Sequence, residues 1–173
     1  MALTVLAYFA LIGAVAVERV AELVVSKRNL AWSRERGGTE FGAGHYPAMV
    51  MLHTALLVGC IVEVVALHRP FIPSLGWAMV AVVVATQVLR WWCITTLGHH
   101  WNTRVVVVPG ATRVTGGPYR FIPHPNYVVV VIEGIALPLV YSAWITAVVF
   151  TVLNAVLLRT RLKVENAALA SLS

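Results

Sequence analysis

The chain is 173 residues long, 60% apolar and only 12% charged, with a formal charge of +6. A water-soluble domain carries about twice that share of charge, so a free-standing globular protein is excluded. The basic residues sit in short segments between apolar runs, which argues against a groove for nucleic-acid phosphates and for a chain solvated by lipid.

The length allows about five helical spans at roughly 20 residues each. The first apolar run covers residues 3–25, and its closing turns carry Glu18, Arg19 and Glu22 on one helical face by their spacing of three and four. Charges at that depth must face protein or the interface. They also stand where small cleavage-site residues would be expected, which predicts a retained span rather than a cleaved leader. Residues 26–46 are polar and glycine-rich and read as the first loop. The second span, 47–67, contains His53 and Glu63. The segment HRPFIPS makes a proline-marked turn, and the third span, 75–97, ends in Arg90-Trp91-Trp92.

Residues 98–124 form the longest polar connection. Two apolar segments follow, 126–140 and 143–158, parted only by Tyr141 and Ser142. That break suits a tight helical hairpin, with a first arm short for a full crossing unless it tilts or packs inside the bundle. A helical tail then leaves the membrane. The expectation is an all-α integral membrane protein, one domain over 1–173, with five transmembrane helices, a cytoplasmic site and a C-terminal helix. The segments 26–46, 98–124 and the tail hold almost all the basic residues, so the positive-inside rule makes them cytoplasmic and the N-terminus external. Cys60 and Cys93 lie inside apolar spans, which gives no disulfide framework.

Polar residues are costly in such a chain, so their clustering carries information. Gly116-Gly117-Pro118-Tyr119-Arg120 runs into Pro123-His124-Pro125-Asn126-Tyr127 at the mouth of the fourth span. Glycines admit a close backbone approach, and the amides at the helix start offer a positive end to a carboxylate. The same residues equally suit a proline-rich turn that only starts a helix. Arg161 and Glu165 share a face of the last helix, as a functional pair or as an ordinary ion pair on a solvated tail. Glu133 is an intramembrane carboxylate that either serves the site or pairs with Arg90 or caps a helix. Arg90 and Glu133 are the substrate-binding candidates among the intramembrane residues. His99, His100 and His124 lack Cys, Asp or Glu at ligand spacing, so no metal site is expected. His53 reads as a packing residue, and the tryptophans Trp77, Trp91, Trp92, Trp101 and Trp144 as an interfacial belt.

Taken together, Leu97-Gly98, Gly117-Pro118-Tyr119-Arg120, His124-Pro125-Asn126-Tyr127 and Arg161 with Glu165 resemble the signature of the isoprenylcysteine carboxyl methyltransferase family. The N-terminal residues Glu18-Arg19, Glu22, Ser26-Lys27-Arg28-Asn29, Gly37-Gly38, Glu40 and His45-Tyr46-Pro47 are similar to bacterial members, some of them associated with type III polyketide synthases. One departure is Pro123, where the family usually has Arg before the His-Pro pair; Arg113 or Arg120 is the candidate replacement.

The resemblance implies an S-adenosylmethionine-dependent O-methyltransferase acting on a lipophilic or prenylated acceptor at the membrane. It places the cofactor against residues 113–127, with His124, Asn126 and Tyr127 through side chains, Val114 and Gly117 through backbone, and Arg113, Tyr119 and Pro125 beside them. Arg161 and Glu165 become the catalytic pair that binds and orients the acceptor. A polyketide phenol or enol would need a base, with Glu165 or His124 as candidates. The competing readings are an NADPH-dependent membrane reductase of the steroid-reductase type and a non-enzymatic small membrane protein.

Overall fold

The computed structural model describes residues 2–170, with side chains from residue 4. In chain order the described residues form α1 (Ala2–Glu35), β1 (Thr39–Phe41), α2 (Tyr46–Ala66), α3 (Pro73–Leu97), β2 (Val105–Val107), α4 (Pro125–Leu139) and α5 (Trp144–Ala170). Pro47, Pro73 and Pro125 stand in the first turns of α2, α3 and α4. Proline's fixed φ suits that position, and its missing N–H is not needed there.

Three stretches, Ala43–Ala66, Pro73–His100 and Trp144–Ala170, are long and apolar enough to cross a membrane, with mean hydropathies of 2.2, 1.6 and 1.6. Outward-facing Val17, Met51 and Val88 are 71%, 66% and 66% exposed. Such surface is unfavourable in water and at home in hydrocarbon. The chain is an integral membrane protein. Helix α4 is apolar but shorter, at 15 residues, and α1 interrupts its apolar run with Glu18, Arg19 and Glu22.

The core brings together Tyr8, Ile12 and Val15 from α1, Leu56, Cys60 and Val64 from α2, Val83 from α3, and Ala136, Leu137 and Phe150 from the α4–α5 hairpin. Within α1 and α2 these residues recur at three- and four-residue intervals, one buried stripe per helix. At Gly134 an added Cβ would strike the Phe150 ring, so α4 and α5 cross on that glycine. Their hairpin turn is closed by Ala143 N–H to Pro138 O at 3.0 Å, with Ser142 at a positive φ of 57°.

Three features depart from the expectations. Residues 26–35 are helical, not loop: SKRNLAWSRE has no glycine or proline, and the helix breaks only at Gly37-Gly38. One face of this extension buries Ser26, Asn29 and Ser33. The fold is also not purely α, because β1 and β2 pair antiparallel, Thr39 opposite Val107 and Phe41 opposite Val105. The β-branched run 105–108 favours the extended chain, and Phe41 and Val164 cover it. Finally, Trp77, Trp91, Trp92 and Trp144 are exposed near helix ends, but Trp101 is 3% exposed and belongs to the interior.

At the end of the bundle away from the ribbon, Glu63 clamps α2 to α5. It accepts from Ile145 N at 3.1 Å, Thr146 N at 2.7 Å and Thr146 Oγ1 at 2.7 Å, and meets Arg69 Nη2 at 2.9 Å. This caps the start of α5 with a negative charge. Glu63→Ala strands these donors and is expected to cost about 2–4 kcal/mol, read as a lowered unfolding midpoint in detergent; an unchanged midpoint would show that the clamp contributes nothing.

Candidate active site

A cavity of about 320 Å³ opens between the helices beneath the ribbon, within the size range of small-molecule sites. Its inner wall is charged. Arg19 Nη1 lies 2.9 Å from Glu22, and Arg19 Nη2 lies 3.0 Å from Glu133. Arg90 pairs with Glu133 and sits 3.5 Å, through Nε, from Glu22. Gln87 Nε2 donates to Glu133 at 3.0 Å. So Glu133 does pair with Arg90, and both line the cavity as members of a network that includes Arg19, Glu22 and Gln87.

The outer wall is built from residues distant in sequence. His124 precedes α4 and Glu165 lies near the end of α5, yet His124 Nδ1 and Glu165 Oε1 are 3.0 Å apart. His124 Nε2 is 3.0 Å from Asn166 Oδ1. The Glu165 carboxylate can only accept, so Nδ1 carries a hydrogen, and the negative charge beside it favours the protonated ring. Its pKa is correspondingly raised, chiefly by the hydrogen bond to Glu165 and against the opposing effect of burial. The Tyr127 hydroxyl donates to Glu165 Oε2, and its ring stacks on His124 with centroids 5.5 Å apart.

Arg161 is 5% exposed and does not pair with Glu165. Its Nε donates to the Tyr127 hydroxyl at 3.3 Å, its Nη2 donates to Thr103 O at 3.0 Å, and its Nη1 rests on Met49 Sδ. The solvated-tail reading of Arg161 and Glu165 therefore fails: the last helix continues without a break and turns this face inward. The loop that holds Arg161 is itself pinned by α1. Ser26 Oγ contacts Thr103 Oγ1 at 2.8 Å, and Asn29 Nδ2 donates to Trp101 O at 2.7 Å. Glu22, Ser26, Asn29 and Ser33 recur at intervals of four, three and four. That polar stripe was visible in the sequence, but the expectation of a loop over 26–46 hid it.

Of the residues proposed for a cofactor, Arg113, Val114, Tyr119, His124, Asn126 and Tyr127 line the cavity. Pro125 is fully buried. Gly117 adopts φ +54° in a short 3-10 turn at Gly117–Arg120, and a Cβ there would strike Thr96 on α3. Burial pushes the Tyr119 phenol upward, so it stays protonated beside Cys93. Asn126 Oδ1 is buried without a hydrogen-bond partner. Of the two candidate replacements at the Pro123 departure, Arg113 reaches the cavity, while Arg120 is exposed over Phe121. His99 and His100 pack on Trp32.

Two comparisons bear on this arrangement. The profile described as "Isoprenylcysteine carboxyl methyltransferase (ICMT) family" matches residues 79–171, a span from within α3 through α5 that includes Thr103, His124, Tyr127, Arg161 and Glu165. The chain is also 38% identical over 167 residues to "Uncharacterized protein YpbQ" of Bacillus subtilis (strain 168), covering 96% of this chain and 98% of that one.

The His124–Glu165 contact has a defined pH dependence. A histidine with a raised folded pKa stabilises its contact at low pH, and that contribution fades as pH rises through the raised value. Nitrogen-15 spectra of the imidazole are expected to show His124 titrating above the ordinary value of about 6.5, with Glu165→Gln lowering the midpoint. A midpoint unmoved by Glu165→Gln would show that the carboxylate is not the cause.

Proposed function

Since the chain belongs to the isoprenylcysteine carboxyl methyltransferase family, we propose that it transfers a methyl group from S-adenosylmethionine to an oxygen of a lipophilic acceptor held in this cavity. The observation that carries the proposal is the convergence of His124 and Tyr127 with Arg161 and Glu165, across roughly forty residues of sequence, on one cavity wall.

The residues present fit the cofactor. The buried Asn126 Oδ1, without a partner, suits an ammonium or an adenine amine. The Arg113 guanidinium, which lines the cavity, suits a carboxylate. Val114 and Tyr119 supply flat or apolar surface on the cavity wall, while Gly117 lets the turn pack closely on Thr96 and Trp92 of α3. Bound there, S-adenosylmethionine supplies an electrophilic methyl carbon.

The chain's own contribution is orientation and shielding. Tyr127 and Thr103 fix the plane of Arg161, so the guanidinium holds an acceptor oxygen without needing to reorganise. His124 and Tyr127 fix Glu165 in turn. The apolar helices keep water from the reacting centre and strengthen attraction between opposite charges inside it. Arg90 and Glu133, on the inner wall of the same cavity, complete the substrate-binding set. The acceptor is a carboxylate of the isoprenylcysteine type or a hydroxyl of the alkylpyrone or alkylresorcinol type. The N-terminal residues that resemble members associated with polyketide synthases favour the second.

All five helices cross a bacterial cell membrane in this proposal, with the N-terminus outside and the cavity opening to the cytoplasm. The basic residues of segments 26–46, 98–124 and 159–163 support that orientation. The protein acts as one domain.

The direct test is titration calorimetry of detergent-solubilised protein with S-adenosylhomocysteine. Micromolar binding that His124→Ala weakens at least tenfold is the expected result. Loss of methyl transfer in Arg161→Ala, with S-adenosylhomocysteine binding retained, would separate acceptor handling from cofactor binding. No binding of S-adenosylhomocysteine, together with a thermal shift on adding NADPH, would instead favour the reductase reading.

A further inference from the structure

A carboxylate acceptor is already ionised, but a phenol or enol must lose a proton, and the Glu165 carboxylate on the outer wall is already engaged. His124 is engaged on both nitrogens, with Glu165 and with Asn166, and both oxygens of Glu165 accept, one from His124 and one from Tyr127. Another imidazole lines the cavity: His53, one turn along α2 from Met49. Its Nδ1 lies 2.8 Å from the Met49 carbonyl oxygen. A carbonyl oxygen only accepts, so Nδ1 carries the hydrogen, and the neutral ring keeps its lone pair on Nε2. The ring is held edge-on to Phe150, centroids 5.5 Å apart at 86°.

Two neighbours complete the arrangement. Met49, whose carbonyl anchors the ring, places its sulfur against Arg161 Nη1. A thioether is a weak acceptor, so that N–H remains available to a stronger one. Asn154, one turn beyond Phe150 on α5, is 2% exposed and lines the same cavity, and its Oδ1 has no hydrogen-bond partner. A hydrocarbon tail alone leaves that oxygen unsatisfied, whereas an acceptor head that carries a further hydroxyl, as a resorcinol does, satisfies it.

We propose that His53 is the general base for a hydroxyl acceptor, a phenol or enol carried on a hydrocarbon tail, with Arg161 Nη1 holding the oxyanion that results. The inference rests on the methyltransferase reading and narrows its acceptor class. The acceptor O–H bond breaks and its proton passes to His53 Nε2. The acceptor oxygen bonds to the methyl carbon as the bond from that carbon to the sulfonium sulfur breaks, and the electron pair stays on sulfur as a thioether. The His53 imidazolium then returns its proton to water. The charges acting on the ring are Arg19 from α1, Arg90 from α3 and Glu133 from α4, and Glu22 of α1 and Arg161 of α5 line the same cavity.

The test uses the full chain in lipid nanodiscs, labelled S-adenosylmethionine and three probes. These are a long-chain alkylresorcinol, an alkylated dinitrophenol already ionised at neutral pH, and S-farnesyl-N-acetylcysteine, whose acceptor is a carboxylate. His53→Gln is expected to lower kcat on the resorcinol on the order of 100-fold. KM and S-adenosylhomocysteine affinity measured by calorimetry stay unchanged, and the rate on the dinitrophenol stays near wild type. The variant's rate on the resorcinol should climb about tenfold per pH unit as the acceptor ionises in solution, while the wild-type rate levels off once His53 is neutral.

Equal losses on the resorcinol and the dinitrophenol would show that the ring is structural and would overturn the proposal. Wild-type protein that methylates only the carboxylate probe would overturn the base and the hydroxyl class together, leaving the methyltransferase reading intact. Wild-type protein that methylates no probe but still binds S-adenosylhomocysteine would overturn the acceptor class and the base. Failure to bind S-adenosylhomocysteine would remove the methyltransferase reading itself.

Discussion

Charge buried in hydrocarbon must find a partner inside the protein, and the arrangement of α1, α3 and α4 follows from that requirement. Arg19, Glu22, Arg90 and Glu133 come from three helices, and each would cost several kcal/mol if it faced lipid alone. Linked, they fix the rotation of each helix about its axis, because turning any one would break more than one ion pair. Breaking a buried pair from one side leaves an uncompensated charge, which is far costlier than never having built the pair. The network therefore specifies register more than it adds stability, and it leaves a polar floor beneath the cavity.

Above that floor the construction changes. The outer wall depends on contacts between segments far apart in sequence: α1 with the 98–104 loop, that loop with α5, and α5 with the turn that starts α4. The ribbon joins β1 to β2 across more than sixty residues. The loop contacts hold a backbone group or a single polar side chain, and only the ribbon adds a small apolar cluster, Val105 and Val107 with Phe41 and Val164. Arg161 shows the result, since its orientation is set by a carbonyl from the loop and a hydroxyl from α4. The site is completed only when four separate parts of the chain meet.

Much of this was legible in the sequence, and the limits have physical causes. Apolar runs bounded by proline gave α2, α3 and the α4–α5 hairpin, because both lipid and helix geometry constrain those runs tightly. The clustering of Glu18, Arg19 and Glu22 was visible from spacing, and Glu133 stood out as an isolated carboxylate. The C-terminal motif residues were identified as a group, and the structure brings His124, Tyr127, Arg161 and Glu165 together. The extension of α1 through Glu35 is less legible, because its polarity points to loop while the absence of glycine and proline over 26–35 points to helix. The ribbon was missed because three-residue strands carry almost no periodic signal. His53 was read as a packing residue because no pattern in one chain shows which ring nitrogen is spoken for; that needed the Met49 carbonyl.

The two ends of the bundle differ in stiffness. At one end Glu63 bolts α2 to α5, and Tyr8, Tyr141 and Phe71 stack beside it. At the other, the helices are tied by loops, single hydrogen bonds and the small apolar cluster under the ribbon. The molecule is thus built as a lever with a fixed fulcrum. Helix α2 has 21 residues, about 32 Å at 1.5 Å per residue, so a tilt of about 5° at the Glu63 end swings the far end by roughly 3 Å. That displacement is close to the radius of a hydrocarbon chain. A greasy molecule could be admitted between α2 and its neighbours by leverage alone, with the aromatic end left undisturbed.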